Sequence, residues 1–255
     1  MKGSAPAITH ETVDIRTPDG VCPTHVFEPD RGPWPAVVLF MDGLGIRPAL
    51  FEMAERLAAG GYHVVLPNLY YRSGFSARDG ARLFSDPVLR ADWTERVLPT
   101  VSIANIMRDM SAFLDHLDSS PAVRQGPVGT TGYCLGGRFS LAAAGYFPDR
   151  VAAAASYHAG QLATDAPDSP HRLAPHIKAR VYVAGAVEDP GFDDAQKQRL
   201  EAALTAAHVQ HQIETYNARH GWVPSDTPVH DHAAAERHWQ TLFHLLSETL
   251  GRGQR

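Results

Sequence analysis

Cysteine is scarce in this chain, with Cys22 and Cys134 the only two among 255 residues. That count excludes a disulfide-held scaffold, and two isolated thiols fit a reducing compartment better than a lone bridge does. Long apolar runs are missing too. The longest, residues 36–41 and 151–155, fall far short of the ~20 residues a membrane-spanning helix needs. Residues 1–11 carry one lysine and no apolar block of secretory type, so a soluble, cytoplasmic protein is expected. Charge of one sign never accumulates either: 23 Lys and Arg against 28 Asp and Glu leave a net −5, with no basic cluster. Neither nucleic acid nor a membrane surface is therefore an expected partner. No segment repeats at a period of 20 to 50 residues, which removes solenoid and propeller architectures.

What is present is a chain with 44% hydrophobic residues, enough for one sizeable core, and residues 1–255 read as one domain without a linker. Two strand-like fragments, 12–17 and 24–27, precede the apolar run 35–41, which reads as a buried parallel strand closed by Asp42-Gly43. Pro48 suits the first turn of a helix whose Leu50, Met53, Ala54, Leu57 and Ala58 share a face, and Gly60-Gly61 stops it. A strand at 63–66 completes a right-handed crossover unit. Residues 68–100 are irregular, rich in Arg and aromatics, and too long for a plain connection. They are expected to carry short helices and to cover something. Ser102 can cap a helix with Ile103, Ile106, Met107, Met110, Phe113, Leu114 and Leu117 on one face. Further strands are expected at 151–157, 181–185 and 211–216, with helices at 194–207 and 231–250. In the last of these Ala235, Trp239, Leu242, Phe243 and Leu246 align. Alternation of apolar strands with amphipathic helices predicts an α/β fold, a mainly parallel sheet flanked by helices on both faces.

Gly132-Tyr133-Cys134-Leu135-Gly136-Gly137, between a strand and a helix, is the G-x-S-x-G nucleophile elbow with sulfur in place of the hydroxyl. Small residues at 132, 136 and 137 permit the tight turn that displays only the central side chain. The start of the following helix favours a thiolate there. Behind such an elbow the chain order is nucleophile, acid, base. Asp189, after the strand at 181–185, is the expected acid, with Glu188 its adjacent alternative. His220, in the loop after the strand ending at Tyr216, is the expected base.

These residues, with Pro67-Asn68-Leu69-Tyr70-Tyr71-Arg72 and Arg219-His220-Gly221-Trp222, make the chain resemble the dienelactone hydrolase family of α/β-hydrolases over roughly residues 12–250. The resemblance implies a Cys134, His220 and Asp189 triad that opens activated ester or enol-lactone bonds of small molecules through a thioester, with no metal and no organic cofactor. It implies an oxyanion hole at the amides of Leu135 and Gly43, and thiol activation by Asp42, which stands where the family has a Glu. The family's substrate-carboxylate Arg, four positions after the catalytic His, is here Pro224. Its other substrate-binding residues are matched only loosely by Arg90 and Trp93. Arg72, Arg82, Arg90 and Arg138 are candidates for an anionic substrate group, and His158 for the pocket wall.

Among 14 His, His230-Asp231-His232 with His238, or His208 with His211, have ligand-like composition, but none of these sites supplies a convincing third and fourth ligand, so no metal is expected. Cys22, beside Pro23 in an N-terminal edge segment, reads as structural. The alternative to a hydrolase is an acyl-transferring or non-catalytic homologue that binds a small acidic ligand. The sequence leaves monomer and homodimer open.

Overall fold

The computed structural model describes residues 7–251; most of the leading stretch read above as lacking a secretory block lies outside the described residues. The described chain groups into two compact units, residues 7–39 with 44–126 and 251, and residues 40–43 with 127–250.

In the first unit, β1 (Ile8–Thr17) and β2 (Gly20–Pro29) form an antiparallel hairpin turning at Pro18 and Asp19. β2 pairs antiparallel with β4 (His63–Pro67), and β4 pairs parallel with β3 (Ala36–Phe40), in the order β1-β2-β4-β3. Both hairpin strands run longer than the sequence fragments suggested. Alternation is weak in β1, most of whose residues are exposed. β2 has strands on both sides, so Cys22 is in an interior strand and not at an edge; it is fully buried. Burial pushes its thiol pKa up to about 12.

Helix α1 (Pro48–Ala59) links β3 to β4. It starts with Pro in the first turn and stops at Gly60, followed by Gly61 at φ +92°, a conformation costly for any residue with a Cβ. The irregular segment carries the short helices α2 (Ala77–Gly80) and α3 (Pro87–Asp92), then a π-helical turn at Trp93–Val97 and a 3₁₀ turn at Leu98–Val101. Helix α4 (Ile103–Ser119) is capped by the Ser102 hydroxyl, which accepts from the Asn105 amide at 3.2 Å. All seven apolar residues of its expected face are buried, each stabilising the unit by roughly 1.5–3 kcal/mol relative to exposure.

The second unit holds four parallel strands in the order β5 (Val128–Tyr133), β6 (Val151–Tyr157), β7 (Arg180–Ala186) and β8 (His211–Tyr216). Helix α5 (Leu135–Tyr146) connects β5 to β6, α6 (Asp194–Ala206) connects β7 to β8, and α7 (His232–Leu250) follows β8. β6 is a run of small residues, Ala152 to Ala155, against which α5 packs closely. Larger side chains there would force the helix outward. On α7, Ala235, Trp239, Leu242 and Leu246 are buried as their spacing predicts, while Phe243 is only partly covered. His238 is fully buried and its Nε2 lies 2.8 Å from the Tyr133 hydroxyl, which the sequence pattern did not indicate. Parallel strands bring their C-terminal ends to one edge, and the segments leaving β5, β6, β7 and β8 there carry Cys134, His158, Asp189 and His220.

Candidate active site

Cys134 stands between the last residue of β5 and the first of α5 with φ +52° and ψ −115°, a conformation few non-glycine residues adopt. It is held there by hydrogen bonds on both sides: its amide donates to the Tyr157 carbonyl at 3.0 Å, and its carbonyl accepts from the Gly137 amide at 3.2 Å. The neighbouring glycines explain how the turn is possible. A Cβ on Gly132 would lie 2.1 Å from the Gly136 oxygen, and one on Gly136 would lie 2.3 Å from the Phe40 oxygen. A Cβ on Gly137 would meet the Ser156 hydroxyl at 2.5 Å. Backbone therefore touches backbone on two sides of the elbow, and any side chain there displaces the strand, the helix or the 40–43 segment. The Cys134 side chain remains partly exposed.

Asp189 follows β7 and caps a short 3₁₀ turn at Pro190–Phe192, its Oδ1 accepting from the Gly191 amide at 2.9 Å. Its Oδ2 lies 2.7 Å from Nδ1 of His220. The carboxylate side chain is 6% exposed and the imidazole 37%. The pair is thus anchored at its acid end and open at its base end. Glu188, the alternative acid, is exposed. Burial raises the Asp189 pKa, but the His220 hydrogen bond and charge, with the Gly191 amide, outweigh it and leave the carboxyl below its ordinary value. For His220, burial pulls downward, yet the hydrogen bonds it donates to Asp189 and then to Cys134, with their charges, carry its pKa up to about 10. Both partners favour the protonated ring, which lies between a carboxylate and a sulfur. That arrangement supports nucleophilic attack by sulfur and proton delivery by the ring.

Asp42 is 5% exposed and Gly43 is half-buried; both belong to the segment whose Phe40 and Met41 carbonyls lie against Gly136. As the first residue of α5, Leu135 has an amide without an i−4 partner in its own helix. Arg138, in the first turn of α5, is partly buried, and its Nε is buried with no hydrogen-bond partner among the described residues. Burial lowers its pKa, with Asp168 the charge that opposes the shift. His158 is fully buried after β6. Pro224 is buried in the loop after His220.

The remaining candidates belong to the first unit. Arg72 makes a bidentate contact with Asp109, at 2.8 and 2.6 Å, and its Nε and Nη2 both donate to one oxygen of Asp19, at 3.0 and 2.8 Å. The N–H edges of its guanidinium are engaged by two carboxylates of its own chain, which leaves little for a substrate anion. Sequence alone gave no sign of this, since Asp109 lies on α4, far along the chain. Arg90 is exposed on α3, and Arg82, also exposed, pairs with Asp86 at 2.5 Å. The Trp93 indole donates to the Tyr70 hydroxyl at 3.2 Å.

Residues 22–250 match the sequence profile described as the dienelactone hydrolase family. The carboxymethylenebutenolidase of Rhodococcus opacus is 29% identical over 231 residues, covering 87% of this chain and 84% of that protein. A solved structure from Klebsiella pneumoniae superposes with a TM-score of 0.83 at 21% identity, over 95% of this chain and 99% of the other. A dienelactone hydrolase-like promiscuous phosphotriesterase from metagenomic libraries superposes with a TM-score of 0.75 at 26% identity, over 95% and 99%. The fold is that of the α/β-hydrolases.

Proposed function

The chain belongs to the dienelactone hydrolase family, and from that premise we propose that it opens activated ester and enol-lactone bonds of small molecules by two-step acyl transfer. Cys134 is the nucleophile, His220 the acid and then the base, and Asp189 the group that holds the imidazole. The observation that carries this reading is the single ring of His220, bonded through Nδ1 to Asp189 and interacting with Cys134.

In the first step the Cys134 sulfur attacks the carbonyl carbon, and the developing oxyanion rests on the amides of Leu135 and Gly43. The C–O bond breaks, the His220 proton passes to the departing alkoxide or enolate, and a thioester remains. Acylation also removes the sulfur's negative charge, so one of the forces raising the His220 pKa disappears. The ring, now neutral, takes a proton from water. Hydroxide adds to the thioester, the C–S bond breaks, and the acid leaves. A thiolate departs more readily than an alkoxide, so amides and unactivated esters revert from the tetrahedral stage. Enol-lactones and activated esters, with better leaving groups, go forward.

Asp42, in the segment that lies against the elbow, is in this reading a proton acceptor that helps generate the thiolate when substrate binds, and Arg138 is the candidate in this unit for an anionic substrate group. A cytoplasmic site of action belongs to the same reading.

Intact-mass measurement after mixing with an activated aryl ester tests it. An acyl adduct at residue 134 is expected on the wild type and, longer-lived, on Cys134→Ser. Wild-type turnover in Cys134→Ala would overturn the reading.

A further inference from the structure

His158 leaves β6 at φ +40°, its amide donating to the Ala184 carbonyl at 2.8 Å, so the turn sends its side chain inward. The ring is fully buried, and neither nitrogen has a hydrogen-bond partner among the described residues. Its neighbours are rings. The His220 ring centroid lies 5.4 Å away at 58°, Trp222 meets it edge-on at 4.9 Å, and Tyr133 lies at 5.9 Å. The titratable groups facing it are therefore Tyr133 at the end of β5 and His220 in the loop after β8, with the charge of His238 on α7 also felt there. His220 in turn faces Asp189, Cys134 and His158.

Burial holds the His158 pKa well below its ordinary value, and the charges of His220 and His238 act in the same direction. A neutral imidazole keeps one N–H and one lone pair. Two unpaired polar atoms in a core cost stability, which an apolar side chain of similar size would not. A space-filling role alone therefore does not account for an imidazole at this place.

We propose that His158 is a positioning residue for His220: an uncharged polar ring, wedged between His220 and Trp222, that steadies the cationic imidazole in its place between Asp189 and Cys134. The inference rests on the reading that His220 serves Cys134. A cation beside a neutral imidazole selects the tautomer and tilt that turn the lone pair toward it, so the His158 ring stabilises the protonated form of His220 without carrying charge itself.

The test is the pH dependence of Cys134 alkylation by iodoacetamide, which needs no substrate and whose upper inflection follows loss of the His220 proton. His158→Leu removes the polar edge at similar volume. His158→Asn keeps one and suits a positive φ. The upper inflection is expected to fall by about half a pH unit or more in the Leu variant and to stay near wild type in the Asn variant, with the melting temperature of the Leu variant no lower than that of the Asn variant. A Leu profile that overlays the wild type would overturn the proposal, as would equal shifts in both variants that track lost melting temperature. If the Leu variant does not fold, His158→Met is read with the same two outcomes. His220→Ala is the separate control: an unaltered alkylation profile there removes the base assignment itself, whatever Leu and Asn show.

Discussion

In the first unit the fully buried Asp109 receives two hydrogen bonds from Arg72 and one, at 3.1 Å, from the Tyr71 hydroxyl. Tyr71 is fixed by Thr17 at 2.6 Å, and Asp19 holds the other side of Arg72 and also pairs with Arg108. In the second unit the nearly buried Asp189 receives one bond from Gly191 and one from His220. Both clusters set a shielded carboxylate against a cation. In the first, the N–H edges of the guanidinium are taken up on both sides by carboxylates and the whole is a brace between the hairpin, the start of the irregular segment and α4. In the second, the far side of the imidazole meets a sulfur that water can reach. The difference lies in whether the cation has a partner that can react, not in how strongly the acid holds it.

The sharpest way to break this contrast is Asp189→Asn, expected to lower kcat by about 10²–10⁴-fold through loss of the imidazole's tautomer and orientation, with a fall in melting temperature smaller than that of Asp109→Ala. Kinetics with an activated ester and thermal melts, side by side, check it. An unfolded Asp189→Asn would make the two clusters alike.

Next in size, Asp109→Ala leaves the Arg72 guanidinium without its buried partner and is expected to cost about 3–5 kcal/mol of stability. Urea titration measures the loss, and kcat per folded molecule is expected to hold.

A third experiment sharpens the contrast through pH. The Asp189 carboxyl titrates below its ordinary value, so its stabilising contribution is present above the unfolded pKa and lost as pH falls through the folded one. His220 titrates at about 10, so its contribution is complete below its unfolded value and disappears as pH rises toward 10. The melting-temperature gap between wild type and Asp189→Asn is therefore expected to close at both acid and alkaline extremes. The gap for Asp109→Ala is expected to persist on the alkaline side, where a guanidinium keeps its proton.

Smallest of all, Cys22→Ala is expected to change kcat less than about twofold, since a sealed thiol with pKa near 12 has no part in the chemistry. Peptide mapping after brief alkylation of the native protein is expected to find label on Cys134 alone.

Much of the fold was legible because burial follows period: the apolar stripe of α4 and the all-apolar β3 declare themselves within a few residues. The elbow was legible for a similar reason, since its glycines answer to backbone contacts within the motif or close by. Other features depend on residues far apart in sequence. Asp189 and Glu188 are adjacent carboxylates, and only the path of the chain after β7 turns one toward His220 and leaves the other in solvent. Arg72 and Arg90 look alike in an irregular stretch until α4 brings Asp109 against one of them. His158 carries no local sign of the Trp222 and His220 rings that the loop after β8 brings against it. Cys22 looked like an edge residue because the pairing of β2 with β4 has no local signal.

The glycines at 132, 136 and 137 bear on how this scaffold can be redirected toward other substrates. A single added methyl at any of them meets backbone or a packed side chain within 2.1–2.6 Å, so a mutant library randomised around the nucleophile would consist mostly of misfolded chains. Diversity has to enter elsewhere, through the exposed positions after β7 and β8, where side chains can be exchanged while the bend under the sulfur stays as it is.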